Sequence, residues 1–293
     1  MAGVTISEHR ASCPHRPLRL AVCLLLVTQL SACGGIFFYP TERWVQNPAR
    51  QSLDYQDIIL IHPDGLRLHG WWLSAATEEV EGTVYFLHGN AQNVSTHLMN
   101  VAWLPARGYQ VFILDYRGYG LSEGRARLPG VLDDVQLGLD WLHASGRVEA
   151  PLVVFGQSLG ASLTATIMGR EANQGRADCV ILEAGFTGYR DITHDVMRKS
   201  WLLSPFRFLV APTLPRKHDA LDHIAGIAPT PLLILHSTED EIIPYHHAEA
   251  LYEAAGNPKT FQRLRGRHIQ STTAEDVRDR LVEFMREDCR QGE

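Results

Sequence analysis

Short apolar runs recur along the chain, each closed by Gly, Asp or a polar cluster, and most are followed by a stretch with helical spacing. The runs fall in GTVYFLHGN, QVFILDYRGYG, PLVVFGQSLG, DCVILEAGF, PLLILHSTED and KTFQRLRGRH. Helical patterns lie at roughly 92–107, 130–145, 159–171, 245–256 and 273–289. Alternation of a buried strand with a helix predicts parallel βαβ units. Before them, DIILIHPDGLRLHGWWLSA reads as two strands joined at Pro63-Asp64-Gly65, where Pro and Gly suit a tight turn. The pattern predicts an α/β domain over residues 55–290, with a mostly parallel central sheet and helices on both faces. Residues 187–222 break the rhythm: Trp201, Phe206 and Phe208 sit among Pro205, Pro212 and Pro215. A long irregular connection in a compact domain is usually functional, so a small cap insertion is expected here.

The first 35 residues read as an address. Arg10, Arg16 and Arg19 precede the apolar run LAVCLLLVTQL, and small residues from Ser31 to Gly35 follow. That is the layout of a secretory signal, and the run is too short to span a bilayer comfortably. Leu30-Ser31-Ala32-Cys33 resembles the lipobox of bacterial lipoproteins. The resemblance implies removal of residues 1–32, lipidation of Cys33 and membrane attachment through that lipid, followed by a tether over 33–54. Several acyl chains on one residue give stable anchoring. Gly34 in second place implies the outer membrane of the cell envelope, facing the periplasm. An ordinary signal peptide or an uncleaved anchor would be the alternatives.

Composition narrows the partners. The chain has 293 residues, 45% hydrophobic, with a formal net charge of −6. No basic stripe appears, so nucleic-acid binding has no electrostatic footprint. Five cysteines are too few and scattered for a disulfide framework. Cys179 lies in an apolar run and reads as a small buried hydrophobe; whether it meets Cys289 is not legible. No metal site is expected, because the histidines are dispersed and the adjacent His246 and His247 should point in different directions.

Two segments match G-x-S-x-G: Gly156 to Gly160 around Ser158, and Gly120 to Gly124 around Ser122. The chemistry wants a Ser on a sharp strand-to-helix turn, its hydroxyl exposed and the next N–H aimed into the site. The Ser158 match obeys this, with PLVVF before it and ASLTATIMGR after it. Around Ser122 the strand ends several residues early, so Ser122 reads as a loop residue. A Ser nucleophile needs a base, and the base needs a carboxylate. His268 lies after the last strand pattern, and Glu239, Asp240 and Glu241 compete in the loop after PLLIL. Glu183, at the end of another strand, is the runner-up acid.

Taken together, FLHGN, LDYRGYGLSEG, GQSLG, HSTEDEIIP and GRH resemble the serine-aminopeptidase-like branch of the α/β-hydrolase superfamily, over about residues 55–288. The resemblance implies that fold and the chain order Ser, acid, His. It selects Asp240, four before Pro244, and His268 as partners of Ser158. It implies an oxyanion hole from the N–H groups of Leu159 and Asn90, with Ala91 the alternative to Asn90 and His88 bracing the loop. The function implied is a serine hydrolase cleaving a carboxylic ester, thioester or amide through an acyl-enzyme, without cofactor. The apolar cap suggests a small-molecule or lipid-like acyl substrate. Two alternatives stand beside it. One is an aminopeptidase using Glu183 for the substrate amine, and the other is an inactive, membrane-tethered binding lipoprotein. Departures from the family pattern are Ala161, where relatives carry a further Gly, and the plain Arg267-His268.

Overall fold

A computed structural model describes residues 37–290. The segment read as a signal peptide, and Cys33, lie outside the described residues. Eight strands form one sheet: β1 Tyr55–Ile61, β2 Arg67–Leu73, β3 Gly82–Leu87, β4 Tyr109–Leu114, β5 Leu152–Gln157, β6 Cys179–Glu183, β7 Leu232–Ser237 and β8 Lys259–Leu264. Their spatial order is β8-β7-β6-β5-β3-β4-β2-β1. β3 to β8 run parallel, while β2 is antiparallel to β4 and pairs β1 as a hairpin. Gly65 takes φ 87° in that hairpin's turn, a conformation that favours glycine.

The central strands β3, β5, β6 and β7 are buried at every position because both faces are covered. Period-two alternation still divides them. Leu152, Val154, Val180, Leu182, Leu232 and Ile234 join one core. Val153, Phe155, Ile181, Leu233 and Leu235 join the other. Helices α1 Gly130–Ser145, α2 Leu159–Met168 and α4 His246–Ala254 feed the first core, with Tyr189 and Ile192 of α3 Tyr189–Arg198. Helix α5 Glu275–Glu287 and the turns around Val94, Leu98 and Leu104 feed the second.

Three features differ from the sequence pattern. The helix expected over 92–107 is a short turn, Val94–His97, followed by two 3-10 turns. Pro105 and Gly108 (φ 89°) break a longer one. Cys179, at the start of β6, is disulfide-bonded to Cys289 just beyond α5. It is buried as expected, but its thiol is not free. Of the stretch read as a tether, residues 37–54 are described and pack on the domain. Phe38 is buried, Phe37 packs on Phe186 and Tyr189, and Tyr39–Pro40 pairs with Ala91–Gln92.

Candidate active site

Ser158 sits between β5 and α2, where the chain turns from strand to helix with no loop. The turn forces Ser158 to φ 54° and ψ −113°, a backbone conformation that L residues rarely hold. It is held by the Ser158 N–H donating to Glu183 O at 2.8 Å. The flanking glycines have a steric reason. A Cβ at Gly156 would collide with Gly160 O and Thr164 Oγ1, and one at Gly160 with Leu87 O.

His268 follows β8 in a loop that brings its Nε2 to 3.0 Å from Ser158 Oγ. Its Nδ1 lies 2.7 Å from Asp240 Oδ2. Asp240 comes from the loop after β7, and its Oδ1 accepts from the N–H groups of Ile242 and Ile243, both at 2.8 Å. Burial alone would raise the Asp240 carboxyl. The His268 hydrogen bond and charge, with the Ile243 and Ile242 N–H groups, outweigh it and hold the carboxyl below its ordinary value. Behind it, His236 Nε2 donates to Ile243 O at 3.0 Å and lies 3.5 Å from Asp240 Oδ2. Burial depresses the pKa of His236 and favours the neutral ring.

The neighbouring acids have roles that sequence reasoning missed. Glu239 Oε2 accepts from Gly266 N–H at 3.0 Å. Glu241 accepts from His268 N–H at 3.2 Å and from Arg267 Nε at 3.1 Å. So Glu239 and Glu241 fasten the loop that carries His268, on either side of the acid that touches its ring. The Glu-Asp-Glu run is the only signal, and it leaves the roles undivided. Glu183, the runner-up, is hydrogen-bonded to other side chains and not to the imidazole. It accepts from Gln157 Nε2 at 2.5 Å and from the Ser271 hydroxyl. Burial raises its pKa, only partly opposed by those two donors.

Gly89, the residue before Asn90, lies beside Ser158: a Cβ there would come 3.6 Å from Ser158 Cβ. Tyr119 Oη donates to Asn90 O at 2.8 Å, and Asn90 Nδ2 donates to Phe37 O at 2.6 Å. His88 is buried, stacks on Tyr116 at 4.3 Å, and has Nε2 3.4 Å from Asp115 Oδ1. The two tyrosines of the DYRGYG segment thus brace this loop. Neither the Asn90 nor the Leu159 N–H finds an acceptor among the described residues. Both donors are free for an oxygen from outside the chain, whereas the neighbouring Ala91 belongs to the two-residue pairing with Tyr39. Ser122 is committed elsewhere. Its hydroxyl donates to Asp115 O at 2.6 Å and accepts from His69 N–H at 2.9 Å, tying the strand ends together.

One expectation about the histidines is corrected. His246 and His247 do not point apart; their rings stack with centroids 4.5 Å and planes 27° apart. They occupy the first turn of α4, where both swing toward Asp195 on α3. Residues 187–222 contain α3 and a series of short turns. Trp201, Phe208 and Leu209 are exposed there, and Lys199 Nζ donates to Glu241 O at 2.5 Å.

The arrangement can move a proton from Ser158 to His268 and balance the resulting imidazolium with Asp240. Its resemblance to known proteins extends past these residues. A family model described as serine aminopeptidase, S33, matches residues 78–226, a stretch that contains Asn90 and Ser158 but ends before Asp240 and His268. The uncharacterized protein YfhR of Escherichia coli K12 is 32% identical over 274 residues, 91% of each chain. The α/β hydrolase domain-containing protein WAV2 of Arabidopsis thaliana is 35% identical over 227 residues, 72% of this chain and 71% of the relative. Among solved structures, the esterase Pf2001 of Pyrococcus furiosus aligns with a TM-score of 0.69 at 20% identity, covering 86% of this chain and 99% of the esterase.

Proposed function

The chain belongs to the serine aminopeptidase S33 family of α/β hydrolases, and from that premise we propose that it cleaves carboxylic esters of apolar acids with Ser158 as nucleophile. The carrying observation is His268, 3.0 Å from Ser158 Oγ through one ring nitrogen and 2.7 Å from Asp240 through the other. In this reading His268 Nε2 takes the Ser158 proton as Oγ attacks the ester carbonyl carbon. The carbonyl oxygen gains the negative charge and accepts from the Leu159 and Asn90 N–H groups, each worth roughly 3–4 kcal/mol of barrier. His268 then returns the proton to the leaving alkoxide, leaving an acyl group on Ser158. Water, deprotonated by the same nitrogen, releases the acid. Every step uses this chain's own residues.

Ester preference is supported by the exposed Trp201, Phe206, Phe208 and Leu209 in the segment after α3, which offer apolar surface to an acyl chain. The solved neighbour Pf2001 is an esterase. An aminopeptidase would need a free anion for the substrate amine. Glu183, the carboxylate first considered for it, is 3% exposed and already bound to Gln157 and Ser271. We also propose that the protein works in the cell envelope, anchored through Cys33. The Cys179–Cys289 disulfide suits an oxidising compartment. The four residues from Cys33 to Phe37 reach at most about 14 Å when extended, and Phe37 O holds the side chain of Asn90. A lipid on Cys33 would therefore keep the oxyanion loop close to the bilayer surface, within reach of lipid-like esters.

The test is a panel of p-nitrophenyl esters of rising chain length beside aminoacyl p-nitroanilides. The proposal expects turnover of the esters, with kcat/KM rising from acetate toward longer chains. Turnover of the anilides alone would contradict it.

A further inference from the structure

Beside the acid loop, α3 and α4 bring three metal-binding side chains together. Asp195 Oδ2 on α3 lies 3.1 Å from His246 Nε2 and 3.3 Å from His247 Nε2 on α4. The three ligand atoms all lie within 4.8 Å of one another. The His246 side chain is 58% exposed, while His247 is buried. Among the described residues His247 Nε2 has no hydrogen-bond partner, despite its closeness to Asp195. A buried polar atom left without a partner is costly, so its place opposite a carboxylate asks for an explanation.

The spacing supplies one. With metal–ligand bonds of about 2.0–2.1 Å, neighbouring ligand atoms of a tetrahedral site stand about 3.3 Å apart. Both histidine–aspartate distances match that edge. The outer side of His247 fits as well. Its Nδ1 is 2.9 Å from Thr187 Oγ1, whose hydroxyl donates to Asp191 Oδ2 at 3.1 Å. With Nδ1–H donating to Thr187, the Nε2 lone pair is left for a cation. A ring nitrogen tied outward to a hydroxyl and then a carboxylate is how metal-bound histidines are oriented. The Thr187 N–H, 3.3 Å from the same Nδ1, is the longer contact and belongs to the competing tautomer. The second Asp195 oxygen, Oδ1, lies 3.7 Å from both His194 Nδ1 and Arg198 Nη2.

We propose that Asp195, His246 and His247 bind one divalent transition-metal ion of the zinc type. Two imidazoles and one carboxylate are a donor set that zinc accepts, and the exposed side leaves a fourth position for solvent. The ion clasps α3 to α4, which fastens the start of the 187–222 segment to the core. One residue past α3, Lys199 reaches Glu241 O and Ile242 O, so the clasp lies next to the loop that carries Asp240. Its role is structural, and it stands apart from the ester-cleaving steps.

The experiment uses tag-free protein stripped with a chelator, then dialysed against zinc chloride. Zinc is counted by plasma mass spectrometry, and affinity is measured by calorimetry. One zinc per chain is expected, with a higher unfolding temperature than the stripped form. His246→Ala removes an exposed ring and should weaken binding by more than ~10-fold. Asp195→Asn, which keeps the side-chain shape, should do the same while the fold is intact by circular dichroism. Less than half a zinc per chain in the wild type would overturn the site. So would zinc retained at full affinity in both variants, because the ion would then sit elsewhere.

Discussion

Residues 151–168 and 199–213 are both rich in apolar side chains, yet the first stretch is buried without a break and the second buries only Ala211. In the first, β5 packs into both cores and α2 into one of them, and the turn between them holds Ser158 in a strained conformation that the surroundings enforce. Strain of this kind persists only where packing over-determines it. In the second, Trp201 is 88% exposed and Leu209 71%. Apolar side chains left in water contribute little to stability and remain free to cover something else. In the proposed function, the buried stretch carries the reaction and the exposed one the choice of substrate.

That division can be broken by substitution. The largest effect is expected from Asp240→Asn. It keeps the shape but removes the charge that faces the His268 ring, and should lower kcat by about 10⁴-fold for every ester alike. A loss that varied strongly with acyl length would blur the two regions. Next comes the double change Trp201→Ser and Phe208→Ser. Hydrolysis of a long-chain ester should fall by ~10-fold or more, with acetate hydrolysis nearly unchanged. Equal losses on both esters would move the second region into the catalytic machinery.

Much of this division is legible in the chain before any coordinates. The strands announce themselves because each central run is apolar on both faces and ends in Gly or a polar cluster. Ser158 stands out from Ser122 because only its G-x-S-x-G lies directly between a strand and a helix. What stayed hidden depends on which direction the backbone takes after an element ends. Glu239, Asp240 and Glu241 are consecutive, and only the path of the loop after β7 decides that Asp240 meets the ring while its neighbours hold the chain. The Asp195–His246–His247 cluster and the Cys179–Cys289 bond join residues far apart in sequence. No local pattern marks either. The helix read over 92–107 failed because Pro105 and Gly108 interrupt a pattern that periodicity alone makes continuous.

A smaller effect sharpens the picture of the buried region. Burial raises the Glu183 pKa above its unfolded value, so the folded carboxyl keeps its proton to higher pH. The stability this gives is fully present below the unfolded pKa and is lost as pH rises through the folded one. Glu183→Gln carries no such dependence. Its stability relative to wild type, followed by urea unfolding, should therefore rise as pH climbs from below the ordinary carboxylate range through the raised folded value. Parallel pH curves for the two proteins would remove Glu183 from this account.

The most direct test of the central claim is labelling by a fluorophosphonate probe, which reacts with an activated serine. Wild type, Ser158→Ala and Ser122→Ala are compared after circular dichroism shows all three folded. The account predicts labelling of wild type and of Ser122→Ala, and none of Ser158→Ala. Labelling that survives in Ser158→Ala, or a folded wild type that does not label at all, would contradict it.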